Sequence, residues 1–431
     1  MPIGSTATPT TTSAELAQHT DKKAVAALTA LFFFWGFVTV LNDILVPHLK
    51  AIFELNYAKV MLIQFAFFSA YFIFALPSAK IIDTIGYKKA MVVGLVTMGI
   101  GALLFIPAAS APSYPLFLAA LMILAAGITD LQVAANPYVA VLGPPETASS
   151  RLNLTQAFNS LGTTIGPYIG GLLILSAAPK TMDEIRAMPP EALHQYRIHE
   201  ASSVKLPYLV IGILVLALAV VIARLHLPAI PQAERHGGAG PKPTLWKYPQ
   251  LVYGTIAIFT YVGAEVSIGS FLINYLSQPD IGNYPEVTAA RYVAYYWGGA
   301  MVGRFIGSAI LQKVRTGIVL AAVSIAACAL VVTSMLATGH VAAWSIIAVG
   351  LFNSVMFPSI FTLGIAELGP LTGDASGVLV MAIVGGAILP IIQGAIADRI
   401  GVHHAFILPV LCYIYILFYA LRGSRPVPVT S

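Results

Sequence analysis

Two apolar stretches decide the fold: residues 24–46, AVAALTALFFFWGFVTVLNDILV, and residues 251–273, LVYGTIAIFTYVGAEVSIGSFLI. Each is long enough to cross a bilayer as a helix. Each also carries one carboxylate deep inside it, Asp43 in the first and Glu265 in the second. An ionised carboxyl at that depth costs a few kcal/mol or more, so an acid kept there points to function. Two such segments, one opening each half of the chain, point to a transporter built from two related halves.

Composition agrees. Of 431 residues, 10% are charged and 58% hydrophobic, and the mean hydropathy is +0.83. A soluble domain carries roughly 25% charged residues, so a water-soluble fold is excluded. The net charge of +5 does not indicate nucleic acid, because the bases gather at segment ends, where they set orientation. Cys328 and Cys412 fall inside apolar segments, which argues against a disulfide framework. Residues 1–23, rich in Thr, Ser, Ala and Pro, lack the apolar core of a signal peptide and read as a flexible cytoplasmic tail.

Hydropathy predicts twelve spans: 24–47, 59–82, 89–109, 115–142, 150–176 and 204–226, then 248–277, 289–312, 317–338, 341–366, 375–397 and 403–421. The Pro-, Gly- and charge-rich stretch 227–247 is the linker between a six-helix bundle at 24–226 and a second at 248–431, which ends in a short cytoplasmic tail. Lys22, Lys23, Lys88, Lys89, Arg151, Arg224, Arg235, Lys242, Lys247, Lys313, Arg315, Arg422 and Arg425 fall on one side. That side, with both termini and the linker, is predicted cytoplasmic. The 177–203 loop is then external, with a short surface helix after Pro189-Pro190. An all-α membrane protein of the major facilitator architecture, two six-helix halves rocking about a midplane site, is expected. The run Asp83-Thr-Ile-Gly86-Tyr-Lys88-Lys89 resembles that architecture's gating loop, and Gly303-Arg304-Phe-Ile-Gly307 reads as a degenerate second-half echo. Read blandly, the first run is a turn with positive-inside bases.

Polar stripes mark the cavity. Trp35, Thr39, Asn42 and Asp43 share a face of the first span. In the fourth, Thr129, Gln132 and Asn136 form a stripe, and Asn136-Pro137 frees a backbone carbonyl by interrupting the helix. Asp130 lies about 160° from Gln132, so a packing or gating role is as natural for it as transport. The fifth span carries Asn153, Gln156, Asn159 and Thr163; amides both donate and accept, as a ring of sugar hydroxyls demands. Tyr261 lies one turn before Glu265, and Tyr275 is about 80° from Glu265, which makes it a cavity candidate. Tyr292, Tyr295, Tyr296 and Trp297 could stack on a pyranose or form an interfacial belt. Phe352-Asn353 with Pro358 repeats the amide-proline interruption, and Gln393 is a weaker candidate. The amides could equally tie helices together. His403-His404 is not a metal-ligand spacing, and there is no phosphate-cradling loop for ATP. The reading is therefore of no enzyme, no metal and no cofactor, with an ion gradient as energy source.

The strings LNDILVPHL, AANPYVAVLGPPETASSRLNLTQAFNSLG, YVGAEVSIGSFL, LFNSVMFPSIFTLGI and VMAIVGGAILPIIQG resemble the fucose–proton symporter family of the major facilitators, which includes fucose, glucose/galactose and N-acetylglucosamine permeases. The resemblance implies uptake of a sugar by cation symport, with H+ or in some members Na+, in the bacterial inner membrane, by a monomer. It implies that Asp43 is linked to both proton and sugar, and that Gln156 and Asn159 lie beside the sugar. Fucose-type members have a Glu where this chain has Gln132, so coupling falls to Asp43 alone or to Asp43 with Glu265. The span-seven string is closer to glucose/galactose-type members. The full expected sugar set is Asn42, Asp43, Gln132, Asn136, Gln156, Asn159, Glu265, Tyr275, Tyr296 and Asn353. Proton-coupled efflux of drugs or metabolites and a non-transporting sugar sensor are the rival readings.

Overall fold

A computed structural model describes residues 22–53, 57–110, 113–174, 184, 187–203, 205–228 and 244–427. The side chains of residues 41–62, Asn42 and Asp43 among them, lie outside the described residues. Hydrocarbon offers no partner to a bare N–H or C=O, so each apolar run closes its backbone bonds within itself, as a helix.

The first half comprises α1 (Lys22–Phe53), α2 (Tyr57–Ile85), α3 (Tyr87–Ser110), α4 (Tyr114–Val141), α5 (Ala148–Ile174), the surface helix α6 (Pro190–Ser203) and α7 (Lys205–Arg224). The second half comprises α8 (Pro249–Leu276), α9 (Glu286–Ile310), α10 (Thr316–Leu336), α11 (Gly339–Asn353), α12 (Met356–Gly364), α13 (Thr372–Met381), α14 (Gly385–Ile400), α15 (Val402–Ala405) and α16 (Ile407–Phe418). The pairs α11/α12, α13/α14 and α15/α16 are each one span with a break, giving six spans per half. The helix expected after Pro189-Pro190 is α6.

Ten spans are long and apolar enough to cross a membrane among the described residues. The other two, α5 and α9, are diluted by Asn, Gln, Ser and Arg, and they face one another across the molecule. The halves repeat a packing pattern. α1 lies on α5 as α8 lies on α14, and α3 contacts α4 and α7 as α10 contacts α11 and α16. Gly36 and Gly162 let α1 and α5 touch backbone to backbone: a methyl at Gly36 would run into the Asn159 carbonyl, and one at Gly162 into that of Phe33.

The halves are joined on the side of the linker. Ser150 Oγ donates to the Ser308 carbonyl (2.7 Å) and Ser308 Oγ to that of Ser150 (3.0 Å). Ser149 and Thr362 hydroxyls meet at 2.5 Å, and Asn153 Nδ2 donates to the Arg304 carbonyl (2.8 Å). Pro137 has no N–H for the Val133 carbonyl four residues before it. Ser376 Oγ of α13 takes that acceptor at 2.8 Å, so the freed carbonyl becomes a joint between halves.

α2 and α3 are separated by one residue, Gly86, at φ 83°, where its N–H closes the α2 end on the Ile82 carbonyl (2.8 Å). A side chain would be strained there. Asp83 Oδ1 is placed against Gly373 in the first turn of α13, where a helix start favours negative charge. Lys88 is partly exposed and Lys89 exposed. Arg151 is buried and caps the end of α4 through the carbonyls of Val139 (3.2 Å) and Ala140 (2.5 Å), more than a marker of sidedness.

Candidate functional site: a polar cavity between the halves

Above this joint lies a cavity of about 170 Å³ to which both halves contribute. The first half supplies Trp35 and Thr39 from α1, Tyr71 from α2, Gln132 from α4, and Gln156 and Asn159 from α5. Tyr261, Val262 and Glu265 of α8, Arg304 of α9, Phe357 and Pro358 of α12 and Ile383 complete it.

The amides are held in place. Gln132 Nε2 donates to the Tyr71 hydroxyl (3.1 Å) and Gln156 Nε2 to Asn136 Oδ1 (3.4 Å). Asn159 Nδ2 donates to the Phe32 carbonyl (2.9 Å), so its Oδ1 remains an acceptor.

The second half brings charge. Arg304 Nη2 lies 3.9 Å from Glu265 Oε1, with both side chains largely buried. The Tyr261 hydroxyl donates to the same oxygen (2.8 Å). Arg304 also donates to Ser160 Oγ across the halves. Its Nε reaches the Ser354 carbonyl (3.3 Å), the acceptor that Pro358 leaves free. The two amide-proline interruptions therefore do parallel work: one carbonyl receives Ser376, the other Arg304.

Several sequence expectations change here. Arg304, read as part of a degenerate echo of the gating loop, stands inside α9, within the expected 289–312 span, and on the cavity wall beside Glu265. Tyr275 is not a cavity residue: fully buried, it gives its hydroxyl to Ser334 (2.8 Å to the carbonyl, 2.7 Å to Oγ) and packs edge-on against Phe406. Tyr296 and Asn353 lie behind the cavity. The Tyr296 hydroxyl donates to the Glu265 carbonyl (3.3 Å) and receives Asn353 Nδ2 (2.9 Å), and the Tyr413 hydroxyl closes the chain on Asn353 Oδ1 (2.7 Å). Asn136, wholly buried, stands behind Gln156. Tyr292 stacks on Tyr284 (4.8 Å), and Tyr295 lies against Trp344 (5.8 Å). Tyr295 and Trp344 are exposed, which suits an interfacial belt. Gln393 is buried away from the cavity lining. Tyr71, Val262, Phe357 and Ile383 had no distinguishing pattern in sequence, since each sits in a run of similar apolar residues.

Six spans on either side of a midplane polar cavity define a helical membrane transporter fold. Residues 26–383 match the Major Facilitator Superfamily, and the chain belongs to it. It is 53% identical over 402 residues to a glucose/galactose transporter of Brucella abortus, covering 93% of this chain and 94% of that protein. It is 37% identical over 412 residues to the L-fucose-proton symporter of Escherichia coli, covering 93% of each. The crystal structure of the E. coli fucose:proton symporter FucP superposes with a TM-score of 0.87 at 35% identity, covering 94% of this chain and all of that one. A FucP structure in the outward conformation gives 0.86 at 36%.

Proposed function

We propose that the protein imports a monosaccharide, a hexose of the glucose/galactose kind, by cation symport through alternating access. The observation that carries this reading is the cavity: amides and hydroxyls from one half face a buried Glu265–Arg304 pair from the other. Amides and hydroxyls match a sugar's hydroxyls, and Trp35, Phe357, Pro358 and Ile383 offer apolar faces to the ring. The volume of about 170 Å³ is below the roughly 300–1,000 Å³ of drug-sized pockets, which argues against export of bulky lipophiles.

H+ is the proposed ion, supported by the likeness to proton symporters. Asp43 and Glu265 are the proposed proton-linked sugar ligands, with Gln132, Gln156 and Asn159 as neutral ones. Asp83 at the α13 start, Gly86 and the two lysines after it form the proposed cytoplasmic gate. The working form is a monomer in the inner membrane, its termini and linker cytoplasmic.

The test is uptake into proteoliposomes of glucose, galactose, fucose, mannose and N-acetylglucosamine under imposed H+ or Na+ gradients. Accumulation of glucose or galactose driven by a proton gradient is expected. Uptake of none of the five, or uptake indifferent to both gradients, would overturn the reading.

A further inference from the structure

Among the described residues, one buried carboxyl takes no part in the cavity. Asp130 on α4 is 4% exposed, and neither of its oxygens has a partner at ordinary hydrogen-bond geometry. Its polar neighbour is the Ser78 hydroxyl of α2, itself buried. Asp130 is 11 residues from the linker-side end of α4, about 16 Å along the helix and so near mid-membrane. It points about 160° away from Gln132, off the cavity.

Among the described residues, the other titratable groups on the packed helices are engaged elsewhere or exposed. Tyr71 meets Gln132, Arg151 caps α4, and Asp83 and Asp374 gather about Tyr87. Lys22, Lys23, Lys80 and Lys89 are exposed, and Lys88 is partly so.

The second half covers the two helices that carry Asp130 and Ser78. On α4, Ser376 of α13 bonds the Val133 carbonyl, three residues beyond Asp130. On α2, Gly377 of α13 sits against Ala75 and Ala79, which flank Ser78. On its other side α4 is sealed to α3 by backbone contact at Gly94, Gly101 and Gly127. The seam under α13 thus runs along both helices that flank this carboxyl. A carboxylate that is unpaired in so dry a place is disfavoured as long as α13 stays seated.

We propose that Asp130 is a proton-binding site of the transport cycle, separate from the sugar cavity, which keeps its proton while α13 is seated on α2 and α4 and releases it to linker-side water when α13 leaves. The bond broken is the carboxyl O–H, and the proton passes to water; reclosing α13 requires its return. Because the seated state binds one more proton, raising the pH favours the open state. This rests on the transport reading but does not require the sugar to be known.

The test uses the full-length protein in nanodiscs, without cysteines, with nitroxide labels at exposed Thr84 on α2 and Gln312 beyond α9. Pulsed distance measurements from pH 5 to pH 9 should show the ratio of long to short distances rising by up to about tenfold per pH unit for this one proton. Asp130→Asn and Asp130→Ala should both lose that component and stay in the short distance, while Tyr275→Phe, whose hydroxyl is used on Ser334, keeps it. Having two variants guards against one that does not fold. An unchanged slope in either folded variant, or no slope in the wild type, overturns the proposal. If the sugar panel fails while the slope persists and depends on Asp130, the sugar reading falls and the proton site stands.

Discussion

Replacing Arg304 by Met removes the positive partner of Glu265 and leaves the carboxylate with the Tyr261 hydroxyl alone. Breaking a buried pair from one side costs roughly 3–5 kcal/mol. With 3.9 Å between the groups and 13–15% of their side-chain surface exposed, the low end applies, about 3 kcal/mol. Glu265→Gln is milder, about 1 kcal/mol, because Arg304 keeps Ser160 and the Ser354 carbonyl. Additivity would then put the double variant near 4 kcal/mol. The expected cost is instead about 1 kcal/mol, since no charge is left unpaired. The cycle can be read by reversible SDS unfolding in bicelles followed by tryptophan fluorescence. If the single costs add to within about 0.5 kcal/mol, the two charges are not coupled and the cavity has been misread.

Ser376→Ala should weaken the linker-side joint by about 1 kcal/mol, roughly a fivefold shift towards the open state in the same distance measurement. Gln156→Ala should raise the Kd of the transported sugar about tenfold by equilibrium binding, the effect of one lost hydrogen bond. Tyr275→Phe should leave that Kd unchanged and lower stability by about 1 kcal/mol, because its hydroxyl is used on Ser334; a large loss of affinity would return Tyr275 to the cavity. Gly36→Ala should cost about 1–3 kcal/mol in stability by forcing α1 from α5 and should weaken sugar binding through Asn159.

The architecture was legible because lipid imposes it: long apolar runs, the polar linker and the Gly86 turn all announce themselves locally. The amide stripe of α5 was legible for the same reason, since Gln156 and Asn159 share a face whatever they meet. What could not be read was pairing across the molecule. The Asn136-Pro137 interruption announces a free carbonyl, but nothing near it names Ser376, 243 residues away. Arg304 is visible in sequence as an echo of the gating motif, but its pairing with Glu265, which lies on another helix, is not. Tyr275 was placed by its angle on an ideal helix, and angle does not say which neighbour lies at that bearing. Tyr296 and Asn353 have the chemistry of ligands, yet they serve as the backing of Glu265.

The Val133 carbonyl has one more consequence. Proline has already removed its helical partner, so the bond it makes to Ser376 belongs to no helix. In the proposed cycle, once α13 departs, a water molecule can take the vacated acceptor, and the other rungs of α4 stay closed. The contact can part and re-form many times without fraying the helix, which lets α4 move as a rigid rod while its neighbour comes and goes. A defect in the ladder thus spares the rest of the helix from wear.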